Sequence, residues 1–220
     1  MSQLQQQTVA ILGNGTVGIA LAKGFAALGA RVVFGTRDVQ GAKTREALAA
    51  VPSATAASYA EAAKACDVAV VALPWQGLEE ALRLAGADNL AGKLVIDPSN
   101  PLDFSSGVPR LALGFSDSAG EVVQRLLPQA KVVKAFNIIG APFMVHPKFE
   151  GGVPDMLIAG NDEAAKREVG RVLEAFGWRK AVDMGDITAS RLLEPLAMAW
   201  ITYAFRNGHW THAFSLLGQK

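Results

Sequence analysis

Gly13, Gly15 and Gly18 stand in the spacing G-x-G-x-x-G, directly behind the apolar run Thr8 to Leu12 and at the head of a segment with helical periodicity, Val17 to Leu28. Glycines set between a strand and a helix in this way bring peptide N–H groups against a diphosphate. Gly13 permits the tight turn, Gly15 lets the backbone approach a pyrophosphate without a Cβ, and Gly18 lets the helix lie close on the sheet. The pyrophosphate then meets the free N–H groups and the positive dipole end of the helix that begins near Thr16. The run Gly13-Asn14-Gly15-Thr16-Val17-Gly18 therefore reads as a dinucleotide-binding turn.

The end of the next strand chooses between the two nicotinamide cofactors. NAD sites usually carry an acid roughly 20 residues beyond the glycines, where it binds the ribose hydroxyls. This chain has Gly35-Thr36-Arg37 there. Gly35 leaves room and has no carboxylate, Thr36 offers a hydroxyl, and Arg37 can stack on adenine while its fork of donors holds a 2′-phosphate. Lys43 adds positive charge nearby or sits on a solvated helix face, and Asp38 is the ribose acid if the strand runs a few residues longer. The expected cofactor is NADP(H).

Other catalytic constellations are missing. There is no H-E-x-x-H and no G-x-S-x-G, and His146, His209 and His212 lie late and scattered. His209 and His212 are three apart, but residues near a terminal turn explain them better than a metal does, and no metal site is expected. No Lys or Asp stands in a dehydrogenase-like dyad, so no catalytic acid or base is assigned. Hydride exchange between two ring cofactors needs none, because alignment and apolar walls suffice and the chemistry belongs to the rings.

The elements that must position these residues are legible in outline. Apolar runs recur at Thr8 to Leu12, Arg31 to Phe34, Asp67 to Leu73, Lys93 to Asp97, Lys131 to Phe136 and Met156 to Ala159. They read as strands buried on both faces. Helical spacing falls between them at Val17 to Leu28, Leu78 to Ala85, Ala119 to Leu127 and Glu163 to Phe176, and the Ala-rich stretch around Ala47 to Ala63 reads as surface helices. The alternation predicts an α/β fold, a Rossmann-type doubly wound, mostly parallel sheet over residues 1–182. Residues 183–220 read as a small C-terminal helical subdomain. Its helix, Ile187 to Phe205, is apolar nearly all round and contains Pro195, which should kink it or delay its start. It is a core helix or a subunit interface, and the interface reading makes the protein a homodimer.

Composition sets the outer limits. Of 220 residues, 50% are hydrophobic and 19% charged, the profile of a packed enzyme. Lys plus Arg number 21 against 20 Asp plus Glu, so the net charge of +1 offers nothing to nucleic acid or an anionic membrane. Cys66 is the single cysteine, which rules out an intramolecular disulfide and suits a reducing compartment. Met1 to Gln7 is polar, and Val9 to Leu12 is too short for a signal or a membrane span, so a cytoplasmic location is expected.

Gly13-Asn-Gly15-Thr-Val-Gly18, Gly35-Thr-Arg37, Leu73-Pro-Trp75 and Ser190-Arg-Leu-Leu-Glu-Pro-Leu196 together resemble the coenzyme F420-dependent NADP oxidoreductase family, over nearly the whole chain. Asp97-Pro-Ser-Asn100 and Val132-Val-Lys-Ala-Phe-Asn137 are more similar to the cytosolic NADPH domain of the STEAP metalloreductases. The resemblance implies Thr16 and Val17 at the pyrophosphate, Thr36 and Arg37 at the 2′-phosphate, Leu73 and Pro74 beside the adenosine and ribose, and Ser99 and Asn100 near the nicotinamide. It implies that Asn137 and Ile138 face a second ring, a deazaflavin (coenzyme F420) or a flavin such as FMN or FAD, with the C-terminal helical subdomain closing the pocket. Asn137 stands where a histidine is expected in archaeal deazaflavin enzymes and an asparagine in the metalloreductase domains. The expected function is hydride transfer between NADP(H) and such a small redox partner. The alternatives are a pyrroline-carboxylate-reductase-like reductase of a small imine or carbonyl, for which Arg191 is a conceivable carboxylate anchor, and a non-catalytic NADPH sensor.

Overall fold

The computed structural model describes residues 6–217. Its chain alternates β1 (Thr8–Leu12), α1 (Thr16–Ala27), β2 (Arg31–Thr36), α2 (Ala42–Ala50), β3 (Thr55–Ser58), α3 (Tyr59–Ala65), β4 (Val68–Val71), α4 (Trp75–Ala85) and β5 (Leu94–Asp97). A two-stranded hairpin, β6 (Leu102–Asp103) and β7 (Arg110–Leu111), interrupts the pattern. Then follow α5 (Ala119–Leu126), β8 (Lys131–Lys134), β9 (Met156–Gly160), α6 (Glu163–Ala175), β10 (Ala181–Asp183) and α7 (Ser190–Asn207).

Eight strands form one sheet in the order β10-β9-β8-β5-β4-β1-β2-β3. Every pairing is parallel except β8 with β9. The strand order reverses between β1 and β4, and in a doubly wound sheet the crevice at that reversal, beyond the carboxyl ends of the strands, is where a ligand sits.

Strand periodicity divides the core between the two faces. Val9 and Ile11 of β1 pack with Phe25, Phe34, Phe136 and Phe176 on one side, while Ala10 and Leu12 pack with Leu78, Leu82 and Val123 on the other. Burying each such large side chain stabilises the fold by about 1.5–3 kcal/mol.

Three expectations are corrected. The Ala-rich stretch is not purely surface helix: it contains the edge strand β3, and the helix that follows buries Tyr59, Ala62 and Ala63. The terminal helix does not start at Ile187: a short 3-10 turn at Ile187–Ala189 precedes it, and the helix runs from Ser190 through Pro195 to Asn207. Nor is that helix covered all round. Leu193, Ala197, Trp200 and Ala204 are buried, while Leu192, Tyr203 and Phe205 are exposed.

Candidate functional site

A cavity of about 780 Å³ opens at the strand-order reversal, within the usual size range for small-molecule and cofactor pockets. Its walls begin three helices. Gly13 to Val17 lead into α1, Gly41 to Thr44 into α2, and Leu73 to Gln76 into α4. None of the three has a side chain capping its first turn, and none has an acid there. The contrast with α3, α5 and α6 is sharp. Those helices are capped by Ser58, Ser118 and Asp162 and carry Glu61, Glu121 and Glu163 in the first turn. A missing cap forgoes about 1 kcal/mol and leaves N–H groups and the positive dipole end free. At this cavity those groups suit the phosphates of a dinucleotide.

The glycine turn divides its labour as the spacing demands. Gly13 has φ +110°, and a Cβ there would lie 2.2 Å from the Ala72 carbonyl oxygen, so only glycine lets the turn cross the end of β4. A Cβ on Gly18 would lie 2.4 Å from the Gly13 carbonyl oxygen. On Gly15 it would meet no protein atom within 4 Å, which leaves this exposed stretch of backbone open to a ligand. Asn14 Nδ2 donates to Thr44 Oγ1 at 2.9 Å, and Thr44 Oγ1 donates to the Asp38 carbonyl at 2.6 Å. The turn is thereby tied to the start of α2.

Gly35 is not among the residues that line the cavity, and it is packed so closely that a Cβ would lie 2.8 Å from Leu12 Cδ2. Thr36 and Arg37 line the cavity. Asp38 lines the cavity beside them, its Oδ1 accepting the Gln40 N–H at 3.2 Å in the turn before α2. Arg37 is exposed, with Nη1 3.2 Å from Glu80 Oε2 of α4, and Lys43 stands on the same wall. Two cations at the uncapped start of α2 fit the 2′-phosphate of NADP.

At the other end the wall is Leu73, Pro74, Trp75, Pro98, Ser99 and Asn100, with Leu102 and Phe104 of the hairpin beside them. Ser99 is buried, and its Oγ has no hydrogen-bond partner in the protein. Asn137 and Ile138 are not among the residues that line this cavity. Both are buried. Phe136, held at φ +65°, turns the chain so that Asn137 Nδ2 donates to Asn100 Oδ1 at 3.1 Å and to the Leu193 carbonyl at 3.0 Å. Asn100 Nδ2 answers by donating to the Asn137 carbonyl at 2.8 Å. Asn137 thus backs Asn100, which lines the cavity itself.

Sequence reasoning missed Tyr59, Thr44 and Phe104 on the wall, and treated Trp75 as packing as readily as a wall residue. Burial pushes the Tyr59 hydroxyl above its ordinary value, with Arg37 opposing and Glu80 adding to the shift, so it is a neutral donor at physiological pH. The capping serine just before Tyr59 was the available signal. Arg191 is not on the cavity wall: its Nε donates to Glu121 Oε2 at 2.8 Å. The imidazole of His212 stacks on Trp200 with ring centroids 4.6 Å apart, as part of an aromatic cluster with Tyr203 and His209. No described helix is long and apolar enough to cross a membrane.

Comparison with known proteins gives the family. Residues 8–101 match the family model described as NADP oxidoreductase, coenzyme F420-dependent. A solved structure from Arthrobacter sp. FB24, a candidate F420-dependent NADP reductase, is 38% identical with a TM-score of 0.91, covering 96% of this chain and 100% of that one. The F420-dependent NADP reductase of Methanocaldococcus jannaschii is 32% identical over 62% of this chain and 61% of its own length. Metalloreductase STEAP3 of Rattus norvegicus is 30% identical over 86% of this chain, but this chain spans only 36% of that protein's length. The chain belongs to the family of coenzyme F420-dependent NADP oxidoreductases.

Proposed function

We propose that this protein transfers a hydride between NADP(H) and a planar ring acceptor, a deazaflavin of the coenzyme F420 type in the first place and FMN or FAD in the second. The observation that carries the reading is the convergence of three uncapped, acid-free helix starts on one cavity, with Arg37 and Lys43 at one end and the unpartnered Ser99 hydroxyl at the other. The Gly13 to Gly18 turn, Asn14 included, holds the pyrophosphate. Thr36 and Arg37 hold the 2′-phosphate, Leu73 and Pro74 flank the adenosine and ribose, and Ser99 and Asn100 meet the nicotinamide. When bound, the cofactor supplies the hydride, and the residues bind, orient and exclude water.

We keep Asn137 and Ile138 as second-ring residues, Asn137 through its hold on Asn100. We assign residues 1–182 to dinucleotide binding and residues 183–220 to buttressing that wall through Leu193. The exposed Leu192, Tyr203 and Phe205 of α7 suit pairing with a second copy of the chain. The engagement of Arg191 by Glu121 favours a ring over a carboxylate-bearing imine, because no anchor for that carboxylate is left at Arg191. Calorimetric titration with NADPH and NADH is the direct test of the cofactor half. Tight NADPH binding with much weaker NADH binding supports it, and equal binding contradicts it.

A further inference from the structure

Lys134, the last residue of β8, is fully buried and takes no part in the cavity wall. It stands beside its register partner Asp97 at the end of β5. Its Nζ lies 2.8 Å from Asp97 Oδ2 and 2.8 Å from Glu194 Oε1 of α7, and donates to the Ser99 carbonyl at 2.7 Å. Glu194 accepts the N–H groups of Ala119 and Gly120 at 2.9 and 3.0 Å, so the surplus negative charge rests on the start of α5. Burial alone would drive the proton from Lys134, but Asp97 and Glu194 together hold its pKa above the ordinary lysine value.

A buried ion cluster is a poor way to gain stability, since apolar side chains of the same volume often do as well or better. What this one fixes is visible in its bonds. Asp97 Oδ1 accepts the Ser99 N–H at 2.9 Å while Lys134 takes the Ser99 carbonyl. Both main-chain polar groups of a single residue are gripped by the two members of one ion pair. That residue lies on the cavity wall, and its hydroxyl, buried within the wall, lacks a protein partner.

We infer that Lys134, with Asp97, is a positioning residue: it acts through the main chain of Ser99 to aim the hydroxyl at the nicotinamide end of the dinucleotide. This rests on the placement of that end at Ser99 and Asn100 proposed above. The cost of losing Lys134 should therefore fall on the nicotinamide end and spare the adenosine end, which the glycine turn and Arg37 hold separately.

The test is calorimetric binding of NADP⁺ and of 2′-phospho-ADP-ribose, the same molecule without its nicotinamide, to wild type, Ser99→Ala, Lys134→Met and the double variant. Each single variant should weaken NADP⁺ by about tenfold, the worth of one hydrogen bond, and leave the fragment unchanged. The double variant should be no worse than either, because Lys134 acts through Ser99. If Lys134→Met is recovered only as insoluble protein, the isosteric Asp97→Asn takes its place in the same titrations. Equal loss for both ligands, no loss for either, or losses that multiply in the double variant would overturn the inference. If Ser99→Ala itself fails to distinguish the two ligands, the nicotinamide placement falls and the inference falls with it. If wild type binds neither ligand, the dinucleotide reading as a whole is wrong.

Discussion

Arg37, on the cavity wall, and Glu80 of α4 form an ion pair, Nη1 to Oε2 at 3.2 Å, with both side chains largely exposed. A phosphate entering this end competes with Glu80 for the guanidinium. An exposed pair of this kind is weak, so the competition costs little, whereas a charge-assisted fork onto phosphate is strong. Arg37→Ala should weaken NADPH about ten- to a hundredfold and leave NADH almost unchanged. Glu80→Gln should strengthen NADPH by about two- to fivefold. Fluorescence titration of both cofactors reads these shifts, and equal losses for NADPH and NADH in Arg37→Ala would show that Arg37 does not recognise the 2′-phosphate.

The glycines of the turn should separate binding from folding. Gly15→Val places its methyl groups where no protein atom lies, so circular dichroism should be unchanged while NADPH binding disappears. Gly13→Ala has a positive φ and a Cβ contact of 2.2 Å to contend with, so it should lose stability by at least about 1 kcal/mol as well as binding. A Gly15→Val protein that still binds NADPH would place the dinucleotide elsewhere.

Acid should loosen α7 from α5. Arg191 holds the Glu121 carboxyl below its ordinary value of 4.5, against the opposing effect of burial. A carboxyl depressed in the folded state contributes stability that is present above pH 4.5 and is lost as pH falls through the folded value. Glu121→Gln should therefore melt at a lower temperature than wild type at neutral pH, and the gap should close as pH falls below 4.5 and through the lowered folded value. A gap independent of pH would mean that the pair contributes nothing through charge.

Asn137 should matter as a support. Asn137→Ala removes the two bonds that hold Asn100 and Leu193, and the expected loss is about ten- to a hundredfold in kcat with little change in the affinity for NADPH. The histidines should matter less. Single-turnover rates check both points: a loss above about ten-thousandfold from changing one His, Asp or Glu would mean obligatory proton transfer, and would favour the imine or carbonyl reductase.

The glycine spacing was legible because it is local: a strand, a turn and a helix adjoining in sequence. The buried runs of β1, β4 and β8 were legible because a parallel sheet covers both faces and leaves continuous apolar stretches. β3 and β10 were not, because Thr55-Ala-Ala-Ser and Ala181-Val-Asp are short edge strands, only partly buried, that carry no such run. The role of Asn137 and the Lys134–Asp97–Glu194 cluster depend on contacts between residues far apart in the chain, and polar residues in apolar surroundings give no periodic signal. The three bare helix starts were half visible. Gly15, Gly41 and Pro74 cannot cap with a side chain, but only the fold brings them to one cavity.

The identity of the hydride acceptor is the central claim, and anaerobic stopped-flow absorbance tests it most directly. NADPH-loaded protein is mixed in turn with coenzyme F420, FMN, FAD and pyrroline carboxylate, and the nicotinamide and ring absorbances are followed together. We expect NADPH oxidation matched by reduction of F420, with a slower or absent reaction for the two flavins and none for pyrroline carboxylate. Oxidation by pyrroline carboxylate alone would contradict hydride transfer to a ring, and no oxidation by any of the four would leave a protein that binds NADPH without catalysing its use.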